Sequence, residues 1–434
     1  MIPLVQFLHA VVWWAQDFIP PAEFFVYPYL TARGLLPYTQ IIDHHFPGLF
    51  FFPVNFFSLG FTDPLSFKTL ALLVVLLTSV LLSRLAKHHR ISPGQVVTVI
   101  ALYSVWQIFF SGSTLWIDLF LPVFLLPGWE LFRRRRFFLS GVMFALALVF
   151  KQTVILPLIF TCLFLFRSPK ALVTFLFPPA VAVLLTWGYF FFRGSGSDFW
   201  YWNFVFNFQT YAREAGRLPG IGDLLKLSLP LTLYFLAVIN GFRHHDKPLL
   251  QLAGLVGLLA LPGFSRFGLE HFQPAVPFFA LLLVIGFSEL PSFRWLLLPV
   301  SCLFVLVFQF RHPPAGQIVN FSPADYRVYD RAAALAVSGR TLAVLGASPL
   351  IYSQAKTLPV GNLFFFPLPW LFSPLQPRQL DIWADSPPDV IIFDPHSRVD
   401  GRSIFTSADR LIEYMQRNYR QTEEISGQLI YTRL

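Results

Sequence analysis

The sequence predicts a multi-pass α-helical membrane protein of about eleven spans, followed by a small C-terminal α/β domain. Three observations carry that prediction. Of 434 residues, 55% are hydrophobic and only 13% charged, and the mean hydropathy is +0.60. Apolar runs near the length of a bilayer crossing recur as far as residue 310. From about Arg311 those runs stop and charges become frequent, so the expected division is a membrane domain over 1–310 and an α/β domain over 311–434.

The first apolar run, Ile2 to Ala15, makes about 21 Å of helix against roughly 30 Å of hydrocarbon. It therefore crosses a thinned region or continues upstream, and no basic n-region marks a cleavable signal. Next comes PPAEFFVYPYLTARGLLPYTQIIDHHFPG, Pro20 to Gly48. A connector this long is functional or disordered, and its interleaved Phe, Tyr, Leu and Ile argue against disorder. Pro47 to Gly60 is apolar but interrupted by Pro53 and Asn55, which predicts a helix lying in the interface. Further spans are expected at Ser66–Ala86, Gln95–Phe110, Leu119–Phe132, Phe137–Phe150, Val154–Phe166 and Ala171–Phe192. An aromatic loop, Arg193 to Gly220, separates these from spans near 222–242, 249–264, 272–289 and 295–310. In the C-terminal domain, Thr341–Leu345 and Val390–Phe393 have the composition of short buried strands, and Ala408–Asn418 has helical spacing. Tyr419–Glu424 and Gln428–Arg433 are set to pair around Ser426-Gly427.

Charge sets the expected orientation. With the N-terminus inside, Arg84, Lys87, Arg90, Arg133 to Arg136, Arg167, Lys170, Arg243, Lys247 and Arg294 gather on the cytoplasmic side. Fewer basic residues flank the other side, so the α/β domain is expected outside the cytoplasmic membrane. The net charge of +9 belongs to these loops rather than to nucleic-acid binding. Both cysteines, Cys162 and Cys302, fall inside apolar runs, which excludes a disulfide framework or a cysteine-built metal site.

In this orientation Glu23, Asp43, His44, His45, Asp118, Lys151, Arg266, Glu270 and His271 all reach the outer surface. No acid or base falls near the middle of a span, where ion-coupled transporters carry theirs. Acids beside bases at one membrane face suit an enzyme whose lipid-linked substrate presents its head group there. A carboxylate can take a proton from an acceptor hydroxyl while cations hold a departing phosphate. Plainer roles exist for each. Glu23 could simply favour a helix start through the dipole, Asp43 and Asp118 could cap turns, and Lys151 could be a surface lysine at a hairpin tip. His271 could be structural in its Pro-rich loop, and Trp200 to Trp202 could form an interfacial belt. A metal site from Asp43, His44 and Asp118 is chemically feasible but not expected, since nothing fixes their spacing.

These residues resemble a family. An acid in the first outer loop precedes Gly34-Leu35-Leu36-Pro37-Tyr38 and Asp43-His44-His45-Phe46-Pro47-Gly48. That order is similar to the GT-C glycosyltransferases, and within them to family 39, which holds protein O-mannosyltransferases and the bacterial lipid A aminoarabinose transferase. Asp118 in STLWIDLF, Phe150-Lys151-Gln152-Thr153, Asp198-Phe199-Trp200-Tyr201 and Glu270-His271-Phe272-Gln273-Pro274 follow in the family's order. The resemblance covers about residues 16–310. It implies a polyprenyl-phosphate-linked sugar donor and a lipid, glycan or protein acceptor at the outer face. It also implies catalytic carboxylates among Glu23, Asp43 and Asp118, with the donor phosphate held by His44, His45, Lys151, Arg266 and His271. The family's first-loop acid is usually Asp followed by Glu. Here the pair is Ala22-Glu23, which leaves the role to Glu23. Many relatives carry a lysine where His45 stands. No cofactor is expected. A lipid or polysaccharide transporter, or a non-catalytic scaffold, are the rival readings.

Overall fold

A computed structural model describes residues 1–89, 91–288 and 291–434, with the side chains of Pro291, Ser292 and Arg294 left out. Arg90 and the Arg294 side chain, both counted among the inside charges, lie outside the described residues, as does the end of the span expected over 272–289. Every expected span falls on a helix. These are Ile2–Trp14, Pro64–His88, Pro93–Phe109, Ile117–Arg133, Phe137–Phe150, Ile155–Leu163, Pro169–Phe192, Ser228–Arg243, Lys247–Ser265, Val276–Gly286 and Pro291–Arg311. Among the described residues, Pro64–His88, Pro169–Phe192 and Lys247–Ser265 are long and apolar enough by themselves to cross a membrane. Helix Pro169–Phe192 leaves Val173, Phe177, Leu184 and Leu185 exposed, an apolar face that suits lipid as its solvent.

Local chemistry sets the helix starts. Ser92 Oγ accepts from the Gln95 backbone N–H, and Gln95 Oε1 accepts from the Ser92 N–H at 2.8 Å, a capping box opening Pro93–Phe109. Asp246 caps Lys247–Ser265 by accepting from Leu249 N at 3.0 Å.

The chain forms two compact units. The first comprises residues 1–20, 65–186 and 216–317 and holds the apolar helices. A Cβ on Gly141 would lie 2.2 Å from the Phe175 carbonyl, so glycine there permits the close approach of Phe137–Phe150 to Pro169–Phe192. A buried polar knot ties the first helix to Pro93–Phe109. His9 Nε2 meets Gln107 Oε1 at 3.0 Å, while Trp13 Nε1 and Gln107 Nε2 both donate to the Gly112 carbonyl at 2.9 Å.

The second unit comprises 21–64, 187–215 and 318–434. Its strands in chain order are β1 (Ile41–Ile42), β2 (Leu342–Leu345), β3 (Phe364–Phe365), β4 (Val390–Phe393), β5 (Arg398–Val399), β6 (Arg402–Ser403), β7 (Tyr419–Ile425) and β8 (Gln428–Arg433). The main sheet has the order β2-β4-β8-β7, with β2 and β4 parallel and the other pairs antiparallel. The expected strands, helix and hairpin are all present, and both hairpin-tip residues, Ser426 and Gly427, have positive φ. Leu345, Ile391, Phe393, Leu411 and Met415 form the core beneath the sheet. Strand β1 pairs in parallel with β3, Ile41 opposite Phe364 and Ile42 opposite Phe365. This fastens the end of the Pro20–Gly48 stretch to the C-terminal region.

Three features depart from expectation. Pro47–Gly60 is a single 3₁₀ turn, Pro47–Leu49, followed by turns rather than an interfacial helix. Pro53 lacks a donor, and Asn55 spends its side chain on the Ser58 N–H (2.9 Å) and the Pro28 carbonyl (3.0 Å). The helix of the first loop is Glu23–Ala32 instead. The aromatic loop is helical, with Gly196–Trp200 leading into a π-helical stretch, Tyr201–Tyr211. Helices Pro323–Val337 and Pro369–Asp385 complete the C-terminal region.

Candidate active site

The residues singled out from the sequence collect into two clusters, one in each unit. In the second unit the cluster begins at helix Glu23–Ala32, whose first turn carries Glu23. Burial pushes the Glu23 carboxyl up to about 7. Its own backbone N–H opposes the rise, Asp43 adds to it, and His45 partly counters it. A group balanced near neutrality is suited to taking up a proton during a reaction.

Asp43 follows β1 and is buried, at 3% exposure. It accepts from His45 Nδ1 at 3.0 Å and stands 3.6 Å from His44 Nδ1. The two imidazoles lie against each other, with ring centroids 4.2 Å apart, and Tyr211 covers His44 at 4.3 Å. The backbone beneath them is pinned by side chains. Tyr38 Oη donates to the His45 carbonyl at 2.8 Å, and Asn207 Nδ2 donates to the His44 carbonyl at 2.9 Å. Tyr38 holds φ at 67°, a left-handed conformation costing roughly 1–2 kcal/mol for a residue with a Cβ. Its fully buried ring, set among Phe51, Phe190 and Phe199, and its hydroxyl bond hold it there. Asp198 of the aromatic stretch accepts from Thr39 Oγ1 at 2.6 Å and so braces the same turn.

In the first unit the cluster centres on Asp118, in the first turn of Ile117–Arg133 and 1% exposed. Lys151 stands where Phe137–Phe150 ends, its backbone extended at φ −150° and ψ 125° before the next turn begins. That break turns the lysine inward, and its Nζ donates to Asp118 Oδ2 at 2.5 Å. His271, in the 3₁₀ turn Leu269–Phe272, meets the same oxygen through Nδ1 at 2.9 Å, and its Nε2 lies 3.8 Å from Glu270. Gln273 fixes that turn by donating to the Phe110 carbonyl at 2.5 Å and the Gln107 carbonyl at 3.3 Å.

The structure thus brings Asp43 together with His44 and His45, and Asp118 together with Lys151 and His271. Lys151 is buried rather than a surface lysine at a hairpin tip. The backbone of Arg266 pairs with that of Arg217. Asn207 and Gln273, the residues that pin each cluster, carry no chemistry that sequence alone would single out. Gln273 does stand inside the Glu270–Pro274 motif, while Asn207 has no signal beyond its aromatic neighbours.

No protein-family model and no curated protein matches the chain. Among solved structures it is similar to ArnT from Cupriavidus metallidurans bound to undecaprenyl phosphate. The likeness has a TM-score of 0.61 at 11% identity and covers 99% of this chain and 98% of that one. The fold implied by the resemblance to the lipid A aminoarabinose transferase is therefore the fold this chain has.

Proposed function

We propose that this chain transfers a sugar from a polyprenyl-phosphate-linked donor to a lipid, glycan or protein acceptor at the outer face of the cytoplasmic membrane. The observation that carries the reading is the likeness, along nearly the whole chain, to a structure that holds undecaprenyl phosphate. The acceptor oxygen would bond to the anomeric carbon as the bond from that carbon to the phosphate oxygen breaks. The bonding pair would leave with the polyprenyl phosphate, and the acceptor proton would pass to Glu23. The raised proton affinity of Glu23 supports its choice as base. Asp43 would orient His45, and Asp118 would orient Lys151 and His271, which the resemblance implies as ligands of the donor phosphate. His44, His45 and Arg266 remain candidate phosphate ligands, as the resemblance implies. The membrane domain, residues 1–310, would carry the chemistry, with the N-terminus cytoplasmic and 311–434 outside.

The test is a transfer assay with purified protein and a radiolabelled polyprenyl-phosphate sugar. Cell-envelope lipid, glycan and protein fractions are offered in turn as acceptors. The expected result is labelled product with stoichiometric release of polyprenyl phosphate. Donor that crosses vesicle bilayers with its sugar bond intact, and no product in any fraction, would replace the transferase with the transporter reading.

A further inference from the structure

We infer that Asp43, His44 and His45 form a binding site for a divalent transition ion of the zinc class. Each offers one ligand atom, and these atoms lie within 4.8 Å of one another. The edges from Asp43 Oδ1 measure 3.0 Å to His45 Nδ1 and 3.6 Å to His44 Nδ1. Zinc bonds of roughly 2.0–2.1 Å in tetrahedral array require ligand atoms roughly 3.3–3.4 Å apart; the two edges from Asp43 lie close to that span, and the third, between the histidines, lies within 4.8 Å.

The local backbone makes this convergence possible. Successive side chains of a strand point to opposite faces, yet here consecutive imidazoles lie 4.2 Å apart, where the chain has left β1 and bends at His45. The turn does not depend on an ion for its shape. Tyr38 and Asn207 hold the two histidine carbonyls, and Tyr211 lies on the His44 ring. Such outer contacts orient ligands before a metal arrives. Asp43 and His44 are both 3% exposed, so water competes weakly for the ion. Two imidazoles and one carboxylate favour zinc, cobalt or iron over magnesium, which prefers oxygen. Three protein ligands leave at least one position open, the pattern of a reactive rather than a purely structural site.

Metal binding at this triad stands or falls independently of sugar transfer. The test uses the full-length purified protein, stripped with chelator and titrated with Co²⁺ while its visible absorption is followed, then challenged with Zn²⁺. The expected result is saturable, equimolar Co²⁺ binding that Zn²⁺ displaces. Asp43→Asn, His44→Gln and His45→Gln should each weaken it at least about tenfold. His271→Gln, in the other cluster, should bind as the parent does. Circular dichroism establishes that each variant is folded. If His44→Gln, with its buried ring, does not fold, His45→Gln decides. Absence of saturable binding, or equal binding in a folded His45→Gln protein, overturns the site. A transferase that is active yet takes up no Co²⁺ would remove the metal and leave the transfer reading intact.

Discussion

At Glu23, burial raises the carboxyl to about 7 from an ordinary value of 4.5, with Asp43 adding to the rise. Two consequences follow with opposite signs. The folded state binds this proton more tightly than the unfolded chain does, so its contribution to stability is fully present below about 4.5. It is lost as the pH rises through about 7. The base, however, works only when ionised, so activity should rise across the interval in which stability falls. We expect kcat/KM to show an ascending limb near pH 7, and Glu23→Gln to lower kcat about 10²–10⁴-fold while donor affinity stays close to the parent's. We also expect the Tm of Glu23→Gln relative to the parent to increase from pH 5 to pH 8. Transfer kinetics and thermal unfolding on the same preparations check both. Retention of most turnover by Glu23→Gln would move the base to Asp43 or Asp118. The position of Glu23 was legible because it opens a charged stretch between apolar runs and matches a family landmark. Its proton affinity was not, because that depends first on burial and then on Asp43 and His45, some twenty residues further along.

Among the elements, those that the sequence specified most strongly have a local pattern. The β7–β8 hairpin was readable from two alternating runs around Ser426-Gly427, and both tip residues adopt the positive φ such a turn needs. Pairing of β1 with β3 was not, since two residues at each strand carry no periodicity and their partners stand more than three hundred positions apart. The helical run through 201–211 was masked by its aromatic content, which fits a lipid-interface loop equally well. The Asp118–Lys151 contact was hidden for the same physical reason as β1–β3. It joins the first turn of one helix to the break after the next, 33 residues away. That contact makes a prediction at this scale. Asp118 and Lys151 are both buried, so removing one charge leaves the other without compensation. Asp118→Asn should destabilise the protein by about 3–5 kcal/mol, whereas replacing both with Asp118→Asn and Lys151→Met should recover much of the loss. Unfolding in detergent, followed by near-ultraviolet dichroism, measures the difference. Equal destabilisation by the single and double variants would show that the pair contributes no coupling.

For the whole molecule, hydrophobic spacing specified the helices well enough that every expected span lands on one, although identity to ArnT is only 11%. Many sequences can satisfy a bilayer's demand for apolar helices, whereas few side chains set which end of each helix faces the cytoplasm. The proposed orientation therefore rests on charge. His88 is exposed at the end of Pro64–His88, beside Lys87, and belongs to the inside group. Leu218, 78% exposed, lies between the π-helical stretch and Ser228–Arg243 and belongs outside. Each position can carry a single cysteine once Cys162 and Cys302, both partly buried within helices, are replaced by serine. In intact cells an impermeant maleimide should label Leu218→Cys and spare His88→Cys, and permeabilisation should make both react. If His88→Cys reacted in intact cells, the basic run before it would face outward. The orientation would then be inverted, and Glu23 and Asp118 would meet a substrate from the cytoplasmic side instead.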